Sequence, residues 1–85
     1  MTNTRSLMNT ETLIDQIAEK TGQSKPQTEA TVNEALKIIR GTVASGRAVR
    51  LPDFGTFESR YIPGIDIKVV KFLPAESFRE EVNDS

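Results

Sequence analysis

The sequence predicts an α+β fold with the element order ααβββα, and three observations lead to this prediction. Apolar residues recur with a helical period up to Gly46 and with a period of two beyond it. Pro74 then precedes a short second stretch with a helical period. The chain has 85 residues without an internal repeat, which is the size of one small domain.

The first helix begins near Thr10 and ends at Gly22. Its apolar side chains form one stripe, made of Leu13, Ile14, Ile17 and Ala18. Asn9 or Thr10 can cap the start, since both carry a side-chain oxygen that accepts from first-turn amides. Gly22 suits the left-handed position that follows a helix.

The second helix begins at the sequence Ser24-Lys25-Pro26-Gln27, which is typical of a capping box. It runs towards Ser45 and ends at Gly46. A wide stripe of apolar residues lies along it: Val32, Ala35, Leu36, Ile38, Ile39 and Val43. This stripe is larger than the first helix can cover.

Three strands and a short helix complete the domain. The strands are predicted at residues 48–51, 56–61 and 65–69, with turns at Pro52-Asp53 and Pro63-Gly64. Pro74 ends the last strand and opens a final helix with Ala75, Phe78 and Val82 on one face.

A second subunit is expected to complete the core, because so small a sheet and so apolar a helix exceed what one chain can bury. We therefore predict an obligate dimer. The folded domain spans residues 9–82, between a loose N-terminal tail at 1–8 and a C-terminal tail at 83–85. The predicted interface residues are Leu36, Ile39, Val43, Phe54 and Phe57.

The composition excludes several classes of function. The chain has no cysteine and no histidine, so disulfides, thiolate or imidazole metal ligation and histidine-based catalysis are all absent. We predict no enzyme, no cofactor and no small-molecule substrate, and no apolar run is long enough for a membrane span. The formal net charge of −1 argues against a dedicated nucleic-acid binder, although local clustering of basic residues can override a global sum.

Four segments together resemble a known family. They are TLIDQIAEKTGQSKPQTE, the following long helix ending in ASG, VRLPDFGTFESR and KVVKFLPAESF. The most specific element is L-x-x-F-G-x-F at Leu51, Phe54, Gly55 and Phe57, supported by I-A-x-x-T-G-x-S-K at residues 17–25. In this order they resemble the HU/integration host factor family of bacterial DNA-bending proteins. The resemblance implies an intertwined dimer whose sheets form a saddle for duplex DNA, with two β-arms that insert a proline into the minor groove.

The sequence RYIPGIDIK, residues 60–68, departs from this family because it stands where the long arm belongs. Three or four residues per leg reach only about 10–13 Å beyond the sheet at about 3.3 Å per residue. Such a hairpin can touch phosphates but cannot curl round a duplex. Pro63 is interpreted as a turn residue and not as an intercalating wedge.

The resemblance also implies a set of phosphate contacts. By position in the family pattern these are Lys25, Arg60, Lys68 and Arg79, with the backbone amides around Gly55 and Thr56. Arg47, Arg50 and Lys71 are added from their strand positions only. The alternative interpretation of each residue is a solvated surface charge near an acidic neighbour, Glu58, Asp66 or Glu76.

Other departures remove positive charge. Leu73-Pro74-Ala75-Glu76 stands where the family usually has K-P-G-K, and Asp53 replaces a usual glycine. The resemblance therefore implies a cytoplasmic, nucleoid-associated homodimer that binds duplex DNA weakly, without sequence preference and with little bending. The alternative is an interaction protein that has lost its grip on DNA and pairs with a genuine HU-type subunit or another protein.

Overall fold

The computed structural model describes residues 7–84, and its elements follow the predicted order. The α+β fold class is therefore confirmed. Most of the predicted N-terminal tail, and Ser85, lie outside the described residues. Asn83, predicted as tail, belongs to the last helix. The elements are α1 (Thr10–Thr21), α2 (Lys25–Ala44), β1 (Val49–Leu51), β2 (Gly55–Ile62), β3 (Ile67–Pro74) and α3 (Glu76–Asn83).

The chain divides into two compact units, residues 1–36 and 37–85, and the first unit contains the predicted helix caps. The Asn9 side chain accepts from the amide of Thr12 at 2.9 Å, so Asn9 is the cap of α1. Gly22 ends α1 with φ 77°, as predicted. The Ser24 hydroxyl accepts from the amide of Gln27 at 3.2 Å and caps α2. Ile14 and Thr28 are the buried side chains of this unit within the described residues.

The second unit is built on an antiparallel sheet in the order β1-β2-β3. β1 pairs with the first part of β2 in the register Val49↔Phe57. β2 pairs with β3 along its whole length, from Gly55↔Pro74 to Ile62↔Ile67. The predicted strand pattern covered the third strand only as far as Val69, and Pro74 was predicted to end it. The strand does run on to Pro74, because β2 offers a partner for each of the residues between them.

A type II turn connects β1 to β2. The amide of Phe54 donates to the carbonyl of Leu51 at 3.0 Å, with Pro52 and Asp53 between them. Asp53 has φ 66°, the left-handed value that this position of the turn requires. Its carboxylate accepts from the Ser77 hydroxyl at 3.2 Å, which ties the turn to the first turn of α3.

The hairpin between β2 and β3 differs from its prediction. Its loop has four residues, Pro63 to Asp66, so Ile65 and Asp66 do not belong to the third strand. A two-residue hairpin turn needs a positive φ at its first central position, and a proline at that position cannot adopt one. The loop widens instead, with φ 97° at Gly64 and 56° at Asp66, whose amide donates to the Ile62 carbonyl at 3.0 Å.

The hairpin is also slightly longer than predicted. β2 continues for five residues, 58–62, beyond its last pair with β1. At about 3.4 Å per residue this is about 17 Å of two-stranded ribbon.

Within residues 7–84, no helix is long and apolar enough to cross a membrane.

Candidate nucleic-acid interface

One face of the sheet collects three of the predicted phosphate-binding side chains. Side chains alternate between the two faces of a strand, and paired residues share a face. Thr56, Glu58 and Arg60 are alternate residues of β2 and therefore lie on one face of the sheet. The same face carries their cross-strand partners Arg50, which pairs with Thr56, and Lys71, which pairs with Glu58. We call this the basic face; it also carries Ile62, Ile67, Val69 and Leu73.

The charge of the sheet is opposite to that of the whole chain. The strand residues include four cations, Arg50, Arg60, Lys68 and Lys71, and a single acid, Glu58. These strands thus carry a net charge of +3, whereas the chain has −1. This local excess is the pattern that favours contact with a polyanion.

Glu58 lies within the basic face and holds one of its cations. The carboxylate of Glu58 is 3.3 Å from the Arg60 guanidinium, which donates a hydrogen bond to it. The Glu58 side chain is 28% exposed and that of Arg60 is 54% exposed. Lys71 is the direct cross-strand neighbour of Glu58. The predicted contact Arg60 is therefore engaged within the protein, although solvent still reaches it.

The other face of the sheet carries aromatic side chains, and we call it the aromatic face. Phe57 and Phe72 are cross-strand partners with ring centroids 4.7 Å apart. Phe54 stacks on Phe78 of α3 at 5.4 Å and lies 5.4 Å from Phe72. The four phenylalanines thus pack together as the apolar cluster of this unit.

Lys68 does not join the other cations of the sheet. It pairs with Tyr61, which places it on the aromatic face near the hairpin tip. Tyr61 donates a hydrogen bond to the carboxylate of Asp66, and this bond raises the pKa of Tyr61 above its usual 10.0. Lys68 was predicted as a contact from its place in the family pattern, which does not give the strand register that decides its face.

Gly55 is required by the packing of the aromatic face. It is buried, with φ 157°, and a Cβ atom there would lie 2.6 Å from both the Leu73 carbonyl oxygen and the ring of Phe72. Thr56 follows on the basic face beside Arg50.

A shallow open depression adjoins Gly55 and Thr56 at the end of the sheet, and its lining includes Arg50, Thr56, Leu73, Ala75 and Glu76.

Lys25 lies in the first unit, at the start of α2. Its ammonium group is 2.9 Å from the carboxylate of Asp15 and 3.9 Å from that of Glu11. The hydrogen bond and the charge of Asp15 raise the pKa of Lys25 above 10.5. Its side chain is 52% exposed, so this predicted contact is paired but accessible.

The two remaining predicted cations lie outside the strands. Arg47 is in the connection between α2 and β1, where its amide donates to the carbonyl of Thr42 at 3.2 Å. Arg79 is in α3, three residues after Glu76. Glu58 was predicted only as an acidic neighbour. The predicted strands contain two acids, Glu58 and Asp66, and only the observed strand bounds leave Glu58 as the single acid of the strands.

The predicted interface residues differ in burial within the single chain. Val43 is buried, whereas Leu36 and Phe54 are each 45% exposed. Ile39 and Phe57 are partly exposed. Several further apolar side chains of the second unit are exposed as well: Ile38, Val70, Phe72 and Leu73.

Two helices, a three-stranded antiparallel sheet with a basic face and a C-terminal helix define the architecture of a bacterial histone-like protein. The family described as "Bacterial DNA-binding protein" matches residues 8–64. The chain is 42% identical over 89 residues to the SPbeta prophage-derived DNA-binding protein HU 2 of Bacillus subtilis, covering 88% of this chain and 97% of that protein. This chain therefore belongs to the HU family of bacterial DNA-binding proteins.

Two further comparisons agree with this assignment. DNA-binding protein HU of Nostoc sp. is 45% identical over 53 residues, which is 62% of this chain. That match spans little more than half of the Nostoc protein, 56% of its length. The cocrystal structure of Anabaena HU with DNA superposes with a TM-score of 0.81 at 34% identity, covering 92% of this chain and 100% of the other.

Proposed function

We propose that this chain forms a homodimer that binds duplex DNA through its phosphates, weakly, without sequence preference and with little bending. The observation that carries the proposal is the basic face, which gathers Arg50, Arg60 and Lys71 in a chain of the HU family. It acts at the nucleoid in the cytoplasm, as an architectural protein and not as an enzyme.

Phosphate contacts account for the lack of sequence preference, because they fix a protein on the duplex without reading base edges. Each contact contributes a salt-dependent increment to affinity. Lys25, Arg47, Arg79 and the amides of Gly55 and Thr56 are proposed as further contacts. Binding is weak because two acids lie near cations of the basic face. Glu58 is beside Arg60 and Lys71, and Glu76 lines the same depression as Arg50. Leu73, on the same face, adds no charge.

Homodimer formation is supported by the apolar surface that the single chain leaves exposed. Within residues 7–84 the buried apolar side chains are only Ile14 and Val43. Leu36 and Phe54 are almost half exposed, and Phe72 is 37% exposed. A second copy that covers these side chains would give the core that a small domain needs.

Little bending follows from the short hairpin. Smooth bending of a short DNA site costs on the order of 1–6 kcal/mol, which additional contacts must offset. About 17 Å of ribbon ending in a four-residue loop offers few such contacts. Energy transfer between labels at the two ends of a bound duplex should therefore barely change on saturation.

The proposal is tested by duplex titration at two salt concentrations, with light scattering to measure the oligomeric state. A dimer with a salt-dependent affinity that is equal for unrelated sequences is the expected result. A stable folded monomer at micromolar concentration would contradict the dimer. A sequence-dependent affinity would contradict readout through phosphates alone.

A second candidate function is pairing with a genuine HU-type subunit or with another protein, without a grip on DNA. The observation that favours it is the acidic character of α3, which contains Glu76, Glu80 and Glu81 against one cation, Arg79. Absence of duplex binding at low salt, together with exchange of subunits with an HU protein, would favour this candidate over the first.

A further inference from the structure

Glu58, the single acid of the strands, lies on the basic face among its cations. Arg60 donates to Glu58 from the same strand, two residues away, and Lys71 is its direct cross-strand neighbour. Arg50 is on the same face, paired with the neighbouring position Thr56. One carboxylate thus stands among three cations on one side of the sheet.

We propose that Glu58 is an internal competitor of the DNA phosphate for Arg60 and that it limits the affinity of the basic face. The inference rests on the proposed function, since it concerns the same surface. In the free protein the carboxylate accepts from the guanidinium, as a phosphate oxygen would. On binding, the guanidinium exchanges this partner for a phosphate, and Glu58 is left beside the polyanion.

The exposures of the two partners support this exchange. Arg60 is 54% exposed, so a phosphate can approach it from solvent. Glu58, at 28%, is more enclosed and cannot leave the face without a change in its backbone position. A solvent-exposed ion pair such as this one is weak, so a phosphate row can replace it. The carboxylate nevertheless remains as a negative charge that the complex must accommodate.

The consequence is a shallower dependence of affinity on salt than the number of cations suggests. Each neutralised phosphate contributes about 0.9 to the slope of log affinity against log salt concentration. This slope arises because each neutralised phosphate releases counterions from the DNA. When Arg60 leaves Glu58 for a phosphate, Glu58 takes up a counterion from solution, and this uptake cancels part of the release. Glu58→Gln removes the competing charge while retaining the length and shape of the side chain.

The experiment titrates a duplex into the wild-type protein and into Glu58→Gln over a series of salt concentrations. The variant should bind about eightfold tighter at about 0.1 M salt, with a slope steeper by about 0.9, for each subunit that releases one competing charge. The matched control is Glu34→Gln in α2, which changes the net charge equally and lies outside the sheet. Its affinity should equal that of the wild type within about twofold.

A second background separates competition from general repulsion. In the variant Arg60→Gln, adding Glu58→Gln should raise duplex affinity much less than Glu58→Gln does in the wild type, because the cation that Glu58 would release is absent. An equal gain in both backgrounds would show that Glu58 only repels DNA, and the inference would be overturned. A loss of affinity in Glu58→Gln would overturn it too, because Glu58 would then position Arg60 for DNA.

The outcomes for the wild type keep this inference distinct from the proposed function. A wild type that binds DNA, with Glu58→Gln unchanged, contradicts the inference alone. If neither protein binds at low salt, both proposals fail. If the wild type shows no measurable binding but Glu58→Gln binds, the inference is supported, and the difference shows how strongly Glu58 limits duplex affinity. Circular dichroism of each variant confirms that the sheet is intact.

Discussion

The two faces of the same sheet differ in what holds their side chains. On the aromatic face, Phe57 and Phe72 contact each other across the strands, and Phe54 and Phe78 complete the cluster. On the basic face the described contact is a solvent-exposed ion pair, Glu58 with Arg60. The comparison teaches that the aromatic face stabilises the fold, whereas the basic face leaves its cations available to a ligand.

The largest expected effect is a loss of stability when the packing of the aromatic face is disrupted. Gly55→Ala would place a methyl group 2.6 Å from the Leu73 carbonyl oxygen and the Phe72 ring, at a strained φ of 157°. Overpacking and backbone strain each cost on the order of 1–3 kcal/mol. We expect the free energy of unfolding to fall by about 3 kcal/mol or more, measured by urea denaturation. Gly41→Ala in α2 is the control: apart from the adjacent residues and the backbone of its own helix, no atom of the described residues lies within 4 Å of the new Cβ, and helix propensity predicts a small gain in stability.

The next effect removes the basic face and leaves the fold intact. Changing Arg50, Arg60 and Lys71 together to Gln should reduce duplex affinity by more than about a hundredfold at about 0.1 M salt, because each lost contact costs about eightfold. Lys68→Gln, a cation of the same sheet on the aromatic face, serves as the control and should cost less than about threefold. Equal losses for Lys68 alone and for the triple variant would show that the two faces are not functionally distinct.

A smaller effect extends the basic face towards α3. Leu73 lies on this face, and Glu76 lines the depression beside Arg50. Changing both to Lys should tighten duplex binding at least about tenfold at about 0.1 M salt, with a steeper salt slope and unchanged sequence preference. The gain is limited because Glu76 also stabilises the N-terminus of α3. A folded, dimeric double variant without any gain would mean that DNA does not lie on this surface.

The smallest effect concerns the hairpin tip, where the aromatic face ends in a polar contact. Tyr61 is the one tyrosine of the chain, so its phenolate absorbance reports a single group. Its hydrogen bond to Asp66 favours the protonated form, and its pKa should be above 10.0. The bond therefore stabilises the tip below pH 10.0 and is lost as the pH rises through the raised pKa.

The matched variant for this titration is Asp66→Asn. Asparagine tolerates the positive φ of 56° at this position but lacks the charge. The pKa of Tyr61 should then fall towards 10.0. An unchanged pKa in the variant would show that Asp66 does not accept from Tyr61 in solution.

The sequence was sufficient for the elements whose signals are local. Gly22 and Ser24 were predicted as helix caps from residue type and position, and each has that role in the structure. The cap of α1 was left open between Asn9 and Thr10, and the structure has Asn9. The Pro63-Gly64 loop was predicted to be too tight, although the ring of Pro63 already excludes the turns that a two-residue hairpin uses. Pro74 was predicted to end β3, but Val70 to Leu73 were left out of the predicted strand because they lack a clear alternation of apolar and polar residues.

The candidate site was predictable only in part, because its composition depends on strand register. Resemblance and position identified Arg50, Arg60 and Lys71, but a shift of one residue sends a side chain to the opposite face. Lys68 and Lys71 are both lysines of β3, and only the pairing with β2 separates them. The ion pair of Lys25 with Asp15 depends on how α1 meets the start of α2, which no local pattern specifies.

The four-residue loop that closes the hairpin makes its length adjustable in fixed steps. The last pair, Ile62↔Ile67, sits at the outer end of an uninterrupted ladder. Inserting two residues into each leg there would lengthen the ribbon by about 7 Å and keep every existing side chain on its face, whereas inserting one would exchange the faces beyond that point. Evolution or an engineer can thus grow or trim this hairpin by pairs of residues without repacking the domain beneath it.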